Sequence, residues 1–205
     1  MEEEAKPFRK ATQNYPSIRI QVTGIGRNNA RRLTIEALNE SKPEAVLTCG
    51  FAGGLNPALP RGTVLFSGRD NFPRAEYLKK AGAKPGSFHC ADRVLITKAE
   101  KESVREATGA DAVEMESNTI WQVCEEALIP CATVRVISDA ANETLPLDFN
   151  QLLSPDNTIS HTALAKALLF NPGRISDLMR FQGKITKCAE RLSTVLTGAL
   201  IQSPP

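Results

Sequence analysis

Residues 131–138 read CATVRVIS, and this stretch decides the fold. It is apolar at nearly every position, the pattern of a strand covered on both faces as in a parallel sheet. Pro130 precedes it and Asp139 follows it. Upstream, Ile120, Val123, Cys124, Ala127 and Leu128 fall on one face of an amphipathic helix that Pro130 closes. Further back, KAEKESVREAT (98–108) predicts a helix stopped by Gly109, and RVLIT (93–97) a brief strand before it. TVLFS (63–67) and EAVLTCG (44–50) are short apolar strands. The second breaks at Gly50, and FAGGLNPALPRG (51–62) reads as a tight, irregular connection. IRIQVTG (18–24) alternates Ile18, Ile20 and Val22 with polar residues, which predicts another strand. Ala30, Leu33, Ala37 and Leu38 then mark a helix ended by Pro43. Residues 68–87 are weakly periodic, a loop with one short helix. From Ile159 onward three helical pieces are expected, broken at Asn171-Pro172-Gly173 and near Gly183. Alternating strands and helices of this kind define an α/β domain, spanning residues 1–205, around a mostly parallel sheet.

The composition excludes much. With 41% apolar and 23% charged residues the 205-residue chain is globular, and it is long enough to bury roughly 70% of its unfolded surface without a staple. A net charge of +2 is too small to make nucleic acid or an anionic membrane the main partner. No apolar run approaches the ~20 residues of a membrane span, and the first ten residues lack a signal-peptide core; a cytoplasmic protein is expected. Five cysteines without a CxxC spacing read as reduced thiols, and two histidines without HExxH give no metal site.

Ligands of open α/β sheets bind beyond the carboxyl ends of strands, so the residues there are the candidates. Phe51, Ala52, Gly53 and Gly54 follow one strand; the glycines either cradle an anion with bare N–H groups or make a tight turn. Gly24-Ile25-Gly26-Arg27 offers the same two readings. Glu114 and Glu116 flank Met115. One is expected to face a cleft and the other an internal cation such as Arg135. A carboxylate fork suits the vicinal hydroxyls of a ribose, and acids also gather at helix N-termini. Asp139, beside Ser138 at the end of the buried strand, is either a helix N-cap or a functional acid. At the N-terminus, Glu2, Glu3 and Glu4 precede Pro7, Arg9 and Lys10, which suits a short helix whose ends match its dipole. A sheet of this type normally starts with a strand, so either the sheet is expected to be one strand short or the true start lies upstream of Met1.

Taken together, GFAGGLNPALPRGTVLFS (50–67), ADAVEMESNTIWQVCEEALIP (110–130), TVRVISDAAN (133–142) and the opening MEEE resemble the nucleoside phosphorylase and nucleosidase superfamily, and most of all its 5′-methylthioadenosine/S-adenosylhomocysteine nucleosidases. The resemblance implies a central mixed sheet flanked by helices, a first strand ahead of MEEE, a homodimer, no cofactor and a small nucleoside as the partner. It implies hydrolysis of a purine N-glycosidic bond in a 5′-modified adenosine. Asp139 would protonate purine N7, with Ser138 holding its carboxyl and burial keeping it protonated. Glu116 would bind the ribose hydroxyls, with Met115 against the sugar. Glu4 would activate water, and Arg135 would be a structural cation among these carboxylates. Val94 falls where the family stacks an aromatic on the base, and Phe149 where an aromatic packs beside the sugar.

Departures from the family pattern leave other readings open. Thr48 and Phe51 stand where phosphorylases carry an arginine and a serine for phosphate, which favours water as nucleophile. The 67–87 segment is short, which bears on the 5′-group. NPGRISDLMR (171–180) looks like the hopanoid branch acting on adenosylhopane, the alternative within the same chemistry. A catalytically weak nucleoside-binding protein is the alternative outside it.

Overall fold

The computed structural model describes residues 2–69, 72–152 and 174–201. In chain order these form α1 (Glu2–Ala11), α2 (Arg27–Glu40), β1 (Val46–Gly54), β2 (Val64–Gly68), α3 (Ala75–Lys80), β3 (Lys84–Pro85), β4 (Phe88–Cys90), α4 (Lys98–Thr108), β5 (Ala112–Glu114), α5 (Ser117–Glu126), β6 (Cys131–Asp139), a 3-10 turn (Phe149–Leu152) and α6 (Arg174–Leu200). The sheet order is β3-β2-β6-β1-β5-β4. β6 runs parallel to β1 and antiparallel to β2, and β5 is antiparallel to β1 but parallel to β4. The sheet is therefore mixed, in an α/β domain.

All nine residues of β6 are buried, as its apolar sequence requires. One face carries Ala132, Val134 and Val136, with Val64 and Phe66 of β2, against Cys188, Leu192, Val195, Leu196 and Ala199 of α6. Each fully buried aliphatic side chain contributes about 1.5–3 kcal/mol, so this contact dominates the core. A second cluster joins Ala30 of α2, Ile120 and Cys124 of α5, and Cys131. The β1–β6 register slips near its end: Ala52 faces Ile137 but Gly53 faces Asp139, so Ser138 is an extra, bulged residue.

Several local expectations fail for identifiable reasons. β1 does not stop at Gly50 but continues through Phe51-Ala52-Gly53-Gly54. Neither Gly53 nor Gly54 has a positive φ, so neither makes a turn. A Cβ on Gly53 would lie 3.1 Å from Val113, and one on Gly54 3.1 Å from the Asp139 carbonyl; close packing is what requires glycine there. Residues 18–24 are not a strand: the Ile18 amide donates back to Tyr15 (2.9 Å), and no described strand pairs with the segment. RVLIT is not one either, because side chains satisfy its backbone. Asn150 bonds both the N–H and the C=O of Val94, and Glu100 accepts from the amides of Ile96 and Thr97 in a capping box that starts α4. The strand in this region is β4, five residues earlier than RVLIT begins.

At the C-terminus α6 runs unbroken through Gly183, whereas the break at 171–173 and the helix before it lie outside the described residues. α5 ends at Glu126, leaving Ala127 and Leu128 exposed rather than on its buried face. The Leu128 amide donates to Glu125 and the Ile129 amide to Cys124, the paired closure of a helix end that places Leu128 at φ 57°, where glycine is favoured.

Two substitutions test this packing in urea unfolding. Leu192→Ala should lower the unfolding free energy by about 2–5 kcal/mol. Leu128→Gly should raise it by roughly 1 kcal/mol, because the exposed leucine packs on little and strains the backbone.

Candidate functional site

The chemistry gathers along β6. Arg135, 3% exposed, stands opposite Gly50 of β1. Its Nη2 donates to Thr48 Oγ1 and to Glu114 Oε2, both at 3.0 Å, and lies 4.0 Å from Glu116. A Cβ on Gly50 would sit 3.2 Å from Arg135 Nη1 and 3.5 Å from a Glu4 carboxylate oxygen, so a bare glycine lets these two side chains approach over the strand. Glu4 Oε1 also accepts from the Phe51 amide at 3.3 Å, which ties α1 to β1.

The two glutamates around Met115 take different surroundings because β5 ends at Glu114, whereas Glu116 stands at the start of α5; within a continuous strand residues two apart would share a face. Glu114 turns inward: besides Arg135 it accepts from the amides of Glu116 and Ser117 and from the Ser117 hydroxyl at 2.5 Å, and so caps α5. Burial pushes its carboxyl up, but the Arg135 charge and these hydrogen bonds outweigh that and hold it below the usual range. Glu116 is less enclosed and accepts from the Gly26 amide at 3.0 Å. Burial raises its pKa against the pull of Arg135 and Gly26, with Glu114 and Glu4 adding to the rise. Gly26, at φ 93°, thus presents its N–H to an anion of the chain itself. Arg27 pairs with Asp92 at 2.7 Å on the surface.

Four residues further along β6, about 13 Å at normal strand rise, lies Asp139. It caps no helix. Ser138 Oγ donates to its Oδ1 at 2.6 Å and has a second acceptor in the Ala52 carbonyl at 3.2 Å. Its Oδ2 meets Lys101 Nζ at 2.5 Å. Lys101 is fully buried, and its other bonds go to the carbonyls of Ala140 (3.0 Å) and Glu143 (2.8 Å). The isolated buried acid expected from the sequence is therefore an ion pair. Arg61 bonds the Ser138 carbonyl at 2.8 Å and pairs with Glu143. Asp139 lines a cavity of about 320 Å³ together with Arg61, Glu143, Leu145, Phe181 and Lys184.

Val94 and Phe149 are joined through Asn150, whose two bonds to the Val94 backbone are both 2.9 Å; Phe149 packs on Phe181 with ring centres 5.7 Å apart. Met115, Phe51 and Gly53 are half-buried. Ala52 is not a lining residue: its side chain is 4% exposed in a cluster with Leu65, Ala112 and Ile137. Glu114, 5% exposed, likewise faces the interior. Lys101, Asn150 and Arg61 went unnoticed in the sequence.

An acid braced by a lysine thus stands at one end of β6, and carboxylates gather around a buried arginine further back on the same strand. The phosphorylase superfamily model matches residues 3–69 and 70–169, and the chain belongs to that superfamily. It is 30% identical over 182 residues to the 5′-methylthioadenosine/S-adenosylhomocysteine nucleosidase of Bacillus cereus, covering 71% of this chain and 78% of that one. It is 25% identical over 174 residues to the aminodeoxyfutalosine nucleosidase of Campylobacter jejuni, covering 69% and 76%. Among solved structures it is similar to Helicobacter pylori 5′-methylthioadenosine/S-adenosylhomocysteine nucleosidase with butyl-thio-DADMe-Immucillin-A (TM-score 0.68, 18% identity, 98% of this chain and 94% of that one). Helicobacter pylori futalosine hydrolase gives a TM-score of 0.67 at the same identity and coverage. These structures share the fold.

The division of labour between the glutamates is testable. Glu114→Gln removes a partner of a buried cation and should destabilise the fold by about 3–5 kcal/mol at neutral pH. Because Glu114 titrates below its unfolded value, its stabilisation is complete above about pH 4.3 and is lost as the pH falls through the folded value. The difference between wild type and variant should therefore shrink in thermal melts taken at progressively lower pH. Glu116→Gln should change stability far less.

Proposed function

We propose that the protein is a purine nucleosidase that hydrolyses the N-glycosidic bond of a 5′-modified adenosine, such as methylthioadenosine or S-adenosylhomocysteine, and releases adenine. The observation that carries this reading is the separation of charge along β6. Cleavage leaves positive charge on the ribose and negative charge on the purine. Glu116 and Glu4, near Arg135, suit the first, and Asp139 with its proton-bearing neighbours suits the second. Superfamily membership and the nucleosidase relatives support it.

In this reading Glu116 accepts hydrogen bonds from the ribose hydroxyls, with Met115 against the sugar. Its raised pKa makes binding weaken as the pH falls into the range where the carboxyl takes up a proton. Glu4 orients the attacking water beside the Phe51 amide. Val94 and Phe149, braced through Asn150, flank the base and the sugar. Thr48 is engaged by Arg135 rather than open to an oxyanion, which supports water over phosphate as nucleophile. Asp139 passes a proton to purine N7, and the second acceptor of Ser138 lets the carboxyl be bound in either protonation state.

Incubation with methylthioadenosine, with and without phosphate, tests the reaction. Adenine and free methylthioribose under both conditions are expected; a sugar 1-phosphate would make the enzyme a phosphorylase, and binding without product a nucleoside-binding protein. Aminodeoxyfutalosine and S-adenosylhomocysteine in the same assay rank the 5′-group. Asp139→Asn should lower kcat by about 10²–10⁴ while nucleoside affinity stays within about tenfold. Glu116→Gln should lower kcat, and removing the substrate 2′-hydroxyl should then cost little more. If the two losses simply add, Glu116 does not touch the sugar.

A further inference from the structure

We propose that Lys101 is a positioning residue that stores, in its ion pair with Asp139, the proton delivered to the leaving purine. The inference rests on the reading of Asp139 as the acid at N7. An ammonium has three donors, and all three of Lys101 are spent, on Asp139 Oδ2 and on the carbonyls of Ala140 and Glu143. No hydrogen bond is left for solvent, and the side chain is fully buried. A lysine in that position serves two purposes at once. It ties the strand end to the turn that follows, and it holds a proton-bearing nitrogen 2.5 Å from Asp139 Oδ2.

The purine in an intact nucleoside is a weak base, but one leaving with the bonding electron pair is a strong one. A lysine ammonium matches that change better than a lone carboxylic acid, which would already have lost its proton at neutral pH. As the C1′–N9 bond breaks, its electron pair goes to the purine. The Lys101 proton moves to Asp139 Oδ2, and rotation about the Cγ–O bond presents it to N7. Water adds to C1′ and releases its proton to Glu4 and solvent, and Asp139, which lines the cavity, takes one proton back from solvent and returns it to Lys101, restoring the ammonium. One water is consumed, and no other reactant is needed.

The charged groups around the pair are largely committed elsewhere. Arg61 and Glu143 bind each other, and Glu143 also accepts from the Ala140 amide and lies 3.7 Å from Lys184. Asp177 and Arg180 line the same cavity further out. Cys188 of α6 donates to the Ile137 carbonyl, and burial pushes its thiol up, so it stays neutral.

The test is the pH profile of kcat for methylthioadenosine in wild type, Lys101→Met and Lys101→Ala, each checked for adenine binding. In both variants the proton must sit on the carboxyl alone. The alkaline limb of kcat should then move to lower pH, with a loss of about a hundredfold or more near pH ~8, partial recovery near pH ~5.5, and KM little changed. In Lys101→Ala, added propylammonium should restore activity at high pH, which a purely structural lysine would not allow. A variant that binds adenine and keeps the wild-type profile overturns the proposal. The underlying reading is separate: if Asp139→Asn stays active, the acid was misassigned, whereas an inactive Asp139→Asn beside an unaltered Lys101 variant rejects the lysine alone.

Discussion

A guanidinium buried in the central strand of a sheet has to be neutralised where it stands, and most of this molecule is arranged around that requirement. Arg135 lies within β6, where every position is enclosed. Its neutralisation draws Glu114 from the end of β5, Glu116 from the start of α5 and Glu4 from α1 toward one point, over a glycine that leaves room for them. Glu114 meets most of the electrostatic need and has no capacity left over. Three carboxylates around one guanidinium leave an excess of negative charge, carried by Glu116 and Glu4. Charge left partly unmatched in this way costs stability in the resting protein and becomes available to a ligand that develops positive charge.

The opposite end of β6 follows the same logic with the signs reversed. Asp139 is enclosed and compensated by a buried lysine, and the lysine is itself fixed by two carbonyls of the following turn. The two ends are linked by one rigid strand rather than by loops, so the spacing between them is set by backbone rise.

Much of this was legible in the sequence, and the failures have physical causes. The run at 131–138, the helix at 98–108 and its glycine stop could be read directly, because apolar pattern and capping chemistry agree there. The separate roles of Glu114 and Glu116 did not follow from strand geometry, which puts residues two apart on one face; they part because β5 ends at Glu114 and the chain turns into α5 at Glu116. The carboxylates at 4, 116 and 139 could be singled out through the family resemblance, since spacing cannot bring residue 4 to residue 135. RVLIT misled because alternation measures side-chain burial, while strand formation needs backbone partners, and Asn150 and Glu100 had already taken them. The pattern at 18–24 misled in the same way. Gly53 and Gly54 looked like turn residues because glycine serves a turn and a close approach equally well in one dimension. Lys101 hid among the charged residues of KAEKESVREAT, where one more lysine reads as part of a solvated surface.

The single extra residue in β6 at Ser138 has an effect out of proportion to its size. In a regular strand neighbouring side chains point to opposite faces, so a serine and an aspartate in succession could not hydrogen-bond to each other. The slip in register between Ala52 and Gly53 removes that alternation at one step, and Ser138 and Asp139 meet at 2.6 Å. It also changes which residues share a side of the strand, so Asp139 no longer follows the parity set by Arg135 and Ile137. A deletion of one residue here would restore perfect pairing, tighten the sheet, and turn the acid away from its serine. In this strand, regular pairing and the Ser138–Asp139 hydrogen bond are mutually exclusive.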